Sequence, residues 1–202
     1  HRATIRDFLS YTFFPHYTFD TAHNLTYLFA GRYEYENKGI DVLLDSLAHL
    51  NTFLKSKDTK RTVSAFLCVA MPNNGPKYDL LKQKNNYQHL QHQLQRHGDE
   101  LLDTILFDMI SGLNRDEAEL LDEESYHDIQ KTLRRFKQAE EPILCSHELQ
   151  GGEENNRVIQ RMKQLGLTNK EDDPVKVILY PAYLDGNDSL LNLKYFDMIS
   201  GS

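Results

Sequence analysis

The sequence predicts an α/β domain with a parallel sheet, into which a long helical segment is inserted. Three apolar runs predict strands: "LTYLFAG" at 25–31, "TVSAFLCVAM" at 62–71 and "VKVILYP" at 175–181. Each run is apolar on both alternating faces, as the strands of a buried parallel sheet must be. A shorter run, "PILCSH" at 142–147, is a candidate fourth strand. Helix patterns alternate with these runs, which is typical of layered α/β domains.

Three helices are predicted from spacing and end signals. After Lys38, apolar residues recur at the i, i+3, i+4, i+7 spacing of an amphipathic helix: Ile40, Leu43, Leu44, Leu47, Leu50 and Leu54. A second helix covers 158–165 and stops at Gly166. A third has acidic residues at 122–124 and basic residues at 134, 135 and 137, which match the two ends of a helix dipole.

The segment 78–138 has no strand pattern, and we interpret it as a helical insertion that serves oligomerisation. It contains a thin apolar stripe with heptad spacing, formed by Leu80, Tyr87, Leu90, Leu94 and Leu101. So narrow a seam resembles the edge of a coiled coil more than the wide face of a core helix. A second copy of the chain is a plausible partner for it. The predicted organisation is an α/β part at 1–76, the insertion at 77–140 and a second α/β part at 141–202.

Composition and charge exclude several classes of protein. The chain has 202 residues, 40% of them hydrophobic, and a net charge of -7, which argues against binding to nucleic acid. No run approaches the roughly 20 apolar residues of a membrane span. The first residues show no apolar signal segment, so we expect a cytoplasmic protein and a chain cut from something longer. Cys68 and Cys145 lie in separate apolar runs and are predicted to be buried free thiols.

Two basic residues stand where the first strand passes into a helix. "LFAGR" places Arg32 just past the end of a strand, where Gly31 is expected to let the backbone turn tightly, and Lys38-Gly39 begins the following helix. In open parallel sheets, ligands bind at the carboxyl ends of the strands. A helix N-terminus, a guanidinium and an ammonium group together could hold a diphosphate. The alternative is that Arg32 and Lys38 are solvated charges in an ordinary loop. No Walker or Rossmann glycine pattern is present.

Tyrosines follow the last predicted strand, at the same edge of the sheet. "YPAYLDGNDSLLNLKYFD" at 180–197 contains Tyr180, Tyr183 and Tyr195. Their rings could stack on a nucleobase, but spacing alone favours plain packing.

Metal binding and carboxylate catalysis have weaker support. His89, His92 and His97 lie on a polar helix face without a Cys or carboxylate constellation, so we interpret them as solvated and expect no metal. Glu34 and Glu36 could form an acid/base pair, but alternation within a loop sets no distance between them.

Four segments resemble one family. "AGRYEYENKGIDVLLDSLAHLN" at 30–51 strongly resembles the first strand, loop and helix of the C-terminal domain of glycogen synthases of the animal and fungal type. "VSAFLCVAMPNNG" resembles that family's second strand and its exit, and "PILCSHEL" its "P-V-C-T-H-N" segment. "VKVILYPAYL" resembles "V-K-V-I-F-H-P-E-F-L". The resemblance covers most of the chain, with departures at Ser146, Glu148, Tyr180 and Ser200.

The resemblance implies a function. Family members are two-domain GT-B glycosyltransferases with Rossmann-like domains. They move glucose from UDP-glucose to the non-reducing end of glycogen in α-1,4 linkage, retaining the anomeric configuration. By resemblance, Arg32 and Lys38 are catalytic and hold the diphosphate, with Gly31 beside them. Tyr183 and Tyr195 correspond to the aromatic residues that sandwich the uracil. No metal or other cofactor is implied, and the helical insertion is expected to mediate tetramer assembly.

The family usually continues beyond the position of Ser202 through "Y-Y-E-P-W-G-Y-T-P-A-E", which carries its catalytic glutamates. We therefore expect this chain to be part of the nucleotide-binding half of such an enzyme and to be inactive alone. Two alternatives stay open. The chain could be a non-catalytic oligomerisation module, or it could come from another GT-B sugar transferase such as a relative of sucrose synthase.

Overall fold

The computed structural model describes residues 1–57, 59–116, 119–137 and 141–201. Its strands are β1 (Asn24–Arg32), β2 (Thr62–Ala70), β3 (Asn73–Pro76), β4 (His147–Leu149) and β5 (Val175–Tyr180). Its α-helices are α1 (Arg2–Phe13), α2 (Ile40–Lys55), α3 (Tyr78–Arg96), α4 (Gly98–Ser111), α5 (Glu123–Phe136), α6 (Arg157–Gln164) and α7 (Tyr195–Gly201). A short 3₁₀ helix at Glu153–Asn155 precedes α6.

The centre of the fold is a parallel sheet with the strand order β1-β2-β5. The three long apolar runs are therefore confirmed as parallel strands. β5 is buried along its whole length, and β2 at every position except its last. The expectation of burial on both faces is wrong for β1, in which Leu25 and Tyr27 are each more than half exposed. β1 and β5 are the two outer strands of this sheet. The segment at 142–147 bridges to β5, whereas β1 has only β2 as a strand partner among the described residues, so less of its surface is covered.

The candidate fourth strand at 142–147 forms a single parallel bridge and no ladder. Cys145 pairs with Leu179 of β5. The Ser146 amide donates to the Leu179 carbonyl at 3.0 Å, and the Leu179 amide donates to the Leu144 carbonyl at 2.8 Å. His147 then begins β4, which pairs antiparallel with β3. This change of partner ends the pairing with β5 after one bridge.

Helices cover both faces of the sheet, as the alternation of strands and helices predicts. On one face, α2 and α6 pack against the odd-numbered residues of β2 and β5, such as Val63 and Val177. On the other face, α1 and α3 pack against even-numbered residues, such as Phe66 and Ile178. Successive side chains of a strand point to opposite faces, so each strand contributes to both cores.

Among the described residues between β3 and β4, the regular elements are the helices α3, α4 and α5, and α5 has the predicted ends. The Asp122 side chain caps α5 by accepting a hydrogen bond from the Ser125 amide at 2.9 Å. The heptad seam, however, is divided between two environments. Leu80 is buried in the core that α1 shares with the sheet, and Leu90 is partly buried there, whereas Leu94 is 44% exposed. The first half of the seam therefore finds its partner surface within its own chain. The predicted end of the insertion, at 138–140, lies outside the described residues.

The two cysteines are buried free thiols, as predicted. No helix in the described ranges combines the length and the apolar character that crossing a membrane requires.

Candidate functional site

The loop after β1 is a compact turn that leads into α2. The Lys38 amide donates to the Glu34 carbonyl at 2.9 Å, and the Ile40 amide donates to the Tyr35 carbonyl at 3.0 Å. Gly39, the N-cap residue of α2, has a φ of 68°, in the left-handed region. A glycine adopts this conformation without the steric cost that a Cβ atom brings. The sequence Lys-Gly thus closes the loop and starts the helix at Ile40.

Arg32 and Lys38 are both exposed, at the two ends of this loop. Within the described ranges, neither side chain forms an ion pair. Asp41 lies in the first turn of α2, where its carboxylate already faces the positive end of the helix dipole. The helix terminus alone is therefore a poor anion site, and Arg32 and Lys38 are the exposed cationic groups beside it.

Helix α6 contacts the loop after β1 through Arg157. The Arg157 guanidinium stacks on the Tyr35 ring, 4.2 Å from its centroid, and bonds the Glu36 carboxylate at 2.7 Å. A second pair, Arg161 and Asp45 at 2.6 Å, joins α6 to α2. Exposed ion pairs of this kind contribute little to stability, because solvent screens the two charges. Because Glu36 is paired with Arg157, it is a poor candidate for the acid/base role considered from the sequence.

A cavity of about 660 Å³ lies at the exits of β2 and β5. Its volume is within the range of small-molecule sites. The residues that line it come from the strand exits and from the loop after β5, and they include Ala70, Asn73, His147, Tyr183 and Asp188. Ala70 is the register partner of Arg32. The cavity therefore shares the carboxyl edge of the sheet with the loop at 32–39, the cationic loop, whose exposed cations are Arg32 and Lys38.

Polar side chains fix the shape of this cavity. Asn73 donates from Nδ2 to the carbonyls of Met71, at 2.9 Å, and Pro181, at 2.8 Å, and so ties together the exits of β2 and β5. His147 is only 3% exposed, and its Nδ1 lies 2.8 Å from Ser146 Oγ. Burial lowers the pKa of His147, which favours the neutral imidazole at pH 7.

The three tyrosines near β5 have different environments. Tyr180 is fully buried against Phe8 and His147, so packing is the correct interpretation for this ring. Tyr183 is 78% exposed and Tyr195 is 45% exposed, so packing does not account for them. The Tyr195 amide donates to the Leu184 carbonyl at 3.2 Å, which brings the two exposed tyrosines into neighbouring segments.

The exposed tyrosines lie across the sheet from the cations. Tyr183 follows β5, and Arg32 ends β1, which is two strands away in the same sheet. Neighbouring strands are ~4.8 Å apart, so the two groups are separated by about 10 Å in that direction. A nucleoside diphosphate can span this separation with its base at one end and its phosphates at the other.

Sequence reasoning missed three residues of the cavity, namely Asn73, His147 and Asp188. Each follows an apolar run or lies in a turn-rich segment, and strand-exit position is the signal that could have found them. His89 and His92 lie on α3, and His97 follows its end. Where the structure describes the chain, no three His, Cys, Asp or Glu side chains are grouped so as to hold a metal ion.

These features define a class of protein. A parallel sheet covered on both faces, with a cationic loop and a polar cavity at its carboxyl edge, is the arrangement of a Rossmann-like nucleotide-binding domain. The family model of glycogen synthase matches residues 1–202. The chain belongs to the glycogen synthase family.

Curated relatives agree with this assignment. The chain is 28% identical over 205 residues to the liver glycogen [starch] synthase of Homo sapiens, covering 100% of this chain and 28% of the relative. It is 30% identical over 207 residues to glycogen [starch] synthase of Dictyostelium discoideum, covering 100% of this chain and 23% of the relative. It is 28% identical over 207 residues to glycogen [starch] synthase isoform 2 of Saccharomyces cerevisiae, covering 98% of this chain and 29% of the relative. The chain spans less than a third of the length of these relatives.

Proposed function

We propose that this chain holds UDP-glucose in a glycogen synthase that transfers glucose to the non-reducing end of glycogen in α-1,4 linkage, with retention of configuration. The observation that carries the proposal is the pair of exposed cations, Arg32 and Lys38. They flank the start of α2 at the carboxyl edge of the sheet, and no carboxylate of the described residues pairs with them. The family match supports the same role.

The chemistry requires cations at this position. When the bond between glucose and UDP breaks, the diphosphate leaving group gains negative charge. A guanidinium can bond two of its oxygens, and an ammonium group adds a point charge. Fixed cations stabilise that charge most in the transition state, so Arg32 and Lys38 would act on the chemical step as well as on binding. In this proposal the leaving group is stabilised by side chains, and no metal or other cofactor is required.

We assign the uracil to the exposed rings of Tyr183 and Tyr195. Tyr183 lines the cavity, Tyr195 lies exposed in the neighbouring segment, and stacking on a base would cover apolar surface of both rings. Gly31 lies exposed beside Arg32, and an added Cβ would meet no atom within 4 Å in this structure. Its contribution to the substrate site would therefore be close approach of the backbone to the phosphates.

Calorimetric titration with UDP tests the phosphate role. Arg32→Ala is expected to weaken binding about tenfold or more, because charged hydrogen bonds contribute about 1.5–3 kcal/mol each. Arg135→Ala is the matched control, since Arg135 is an exposed arginine on α5, far along the chain from this edge. Equal affinity of Arg32→Ala and the unchanged chain would disprove the phosphate role.

A second experiment concerns catalysis. The purified chain is expected not to incorporate glucose from UDP-glucose into glycogen, because the residues assigned here bind the donor and the chain spans less than a third of the length of its relatives. Measurable incorporation by the chain alone would contradict this expectation.

A second candidate function is assembly through the insertion, and helix α4 favours it. Large apolar side chains are more than 40% exposed on α4 and just after it. Six belong to α4 and the seventh, Leu113, follows its end: Leu102, Ile105, Leu106, Phe107, Met109, Ile110 and Leu113. Apolar patches of this size mark interaction surfaces. We propose that a second copy of the chain covers the α4 face, within a tetramer of the kind that the family resemblance implies.

Sedimentation velocity over a range of concentrations tests the assembly proposal. Leu106→Asp combined with Ile110→Asp is expected to abolish the concentration-dependent oligomer. Val42→Asp is the control, because Val42 is 65% exposed on α2, outside the insertion. Leu90 is unsuitable for this test, since it packs partly within its own chain. A monomer at all concentrations for the unchanged chain would exclude the α4 interface.

A further inference from the structure

The loop between β5 and α7 connects the two exposed tyrosines, Tyr183 and Tyr195. Tyr183 lies near its start, and Tyr195 is the first residue of α7. An antiparallel bridge between Asp185 and Lys194 closes the loop at its base. Tyr183 and Tyr195 flank this bridge, one before Asp185 and one after Lys194. Their relative position therefore depends on the bridge, which forms only while the enclosed residues turn the chain back on itself.

The enclosed residues adopt a constrained conformation. Ser189 and Asn192 have φ angles of 62° and 51°, in the left-handed region; asparagine tolerates this region, but serine seldom occupies it. Asp188 Oδ1 accepts hydrogen bonds from the amides of Leu190 and Leu191, both at 2.8 Å, and of Asn192 at 3.2 Å. Strained backbone of this kind persists only where the surroundings hold it.

Helix α3 supplies an outside hold on the loop. Lys84 Nζ donates to the Ser189 carbonyl at 2.8 Å and to the Leu190 carbonyl at 3.0 Å. The Tyr11 hydroxyl of α1 donates to the same Leu190 carbonyl at 3.3 Å. Burial lowers the pKa of Lys84, and the nearby Asp188 carboxylate opposes that shift. The loop thus lies between a cation on α3 and its own carboxylate.

We infer that Lys84 is a positioning residue for base recognition: its ammonium group holds the 188–192 turn and thereby sets the spacing of Tyr183 and Tyr195. The inference rests on the proposed function. Lys84 is 105 residues from Ser189 in sequence and belongs to the insertion, so its role is to connect that helix to the nucleotide-binding edge. Without the two charge-assisted bonds, the left-handed turn relaxes, the bridge between Asp185 and Lys194 is weakened, and the rings lose their relative position.

The test compares UDP with inorganic pyrophosphate, because only UDP has a base. Lys84→Met retains the apolar stem and removes the donor. If the turn then holds the competent conformation a tenth of the time, the Kd for UDP rises about tenfold. The Kd for pyrophosphate, bound by Arg32 and Lys38, is expected to stay within about twofold. Lys84→Arg keeps a charged donor and is expected to restore most of the UDP affinity. Lys82→Met, at an exposed lysine of the same helix, is the matched control.

The outcomes separate this inference from the proposed function. If the unchanged chain binds neither ligand, the proposed function fails. If it binds UDP and Lys84→Met binds UDP equally well, the positioning role is refuted. Equal weakening of UDP and pyrophosphate also refutes it, because that pattern indicates general damage to the fold. Should Lys84→Met not fold, Lys84→Gln, which keeps a neutral donor, carries the same comparison.

Discussion

Lys176 of β5 is a buried cation whose replacement tests the electrostatics of the fold. The residue is 1% exposed. Its Nζ donates to the Lys170 carbonyl at 2.6 Å and lies 4.3 Å from the centroid of the Tyr17 ring. Burial lowers the pKa of Lys176 from its ordinary value of 10.5 to about 8, although Asp173 and Asp172 oppose the shift. We consider Lys176→Met, which keeps a long apolar side chain and removes the charge.

The sign and size of the effect follow from proton linkage. The folded-state pKa is below the unfolded-state value, so between pH 8 and 10.5 the unfolded chain binds a proton that the folded chain has released. The free energy of unfolding therefore rises with pH in that window. For pKa values of about 8 and 10.5, the contribution of Lys176 rises by about 1 kcal/mol between pH 7 and pH 9. Lys176→Met lacks this increase.

The assay is urea denaturation at pH 7 and pH 9 for the unchanged chain and the variant. Cys68 and Cys145 contribute in the opposite direction, because burial raises the pKa of both thiols above the ordinary 9.0. Their stabilisation is lost as pH rises through that value, but it is common to both proteins, so the difference isolates Lys176. Lys60→Met, at an exposed lysine, should retain the increase. Identical pH dependence of Lys176→Met and the unchanged chain would refute the reasoning.

Three other predictions concern buried and turn positions. Asn169→Ala should lower the free energy of unfolding by about 2–4 kcal/mol in urea denaturation. The buried Asn169 amide hydrogen-bonds backbone groups of Ile143 and Val177 at 2.8–2.9 Å, and its removal leaves those groups unpaired. Asn187→Ala, at an exposed asparagine, should change the free energy of unfolding little. Gly39→Ala should destabilise the chain by about 1 kcal/mol and Gly39→Asn by less, since asparagine tolerates the left-handed φ of 68°; equal thermal shifts for the two variants would contradict this. The two free cysteines should react with a thiol reagent only after unfolding, since both are buried and their pKa values are raised; rapid labelling of the native chain would disprove it.

The strands and helix ends of the core could be predicted from short stretches of sequence. β2 and β5 are apolar at successive positions, and that pattern suits a strand covered on both faces. The ends of α5 were identifiable because an acidic cap and basic last turn satisfy the helix termini within a few residues. Arg32 at the end of β1 and Lys38 just before α2 were identifiable from local sequence as well, because the end of an apolar run and the start of a helix pattern involve only neighbouring residues.

Long-range contacts decided what the local pattern left open. β1 has the same apolar character as β2, but it is an edge strand, and its exposure depends on what lies beside it. Tyr180 and Tyr183 are three residues apart, yet one is buried and the other is 78% exposed. His147 lines the cavity because the chain leaves β5 after the Cys145 bridge and then pairs with β3 as β4; β5 and β3 are both distant from β4 in sequence.

The sequence by itself determined the class of fold, the cationic loop after β1 and the family, because periodicity, caps and motifs are properties of neighbouring residues. Only the tertiary structure decided that Leu80 packs within its own chain and that α4 presents an uncovered apolar face. The hydrogen bonds from Lys84 to the loop after β5 are likewise visible only in the tertiary structure. The physical reason is that burial and hydrogen-bond pairing depend on which surfaces meet, and those surfaces come from segments far apart in the chain.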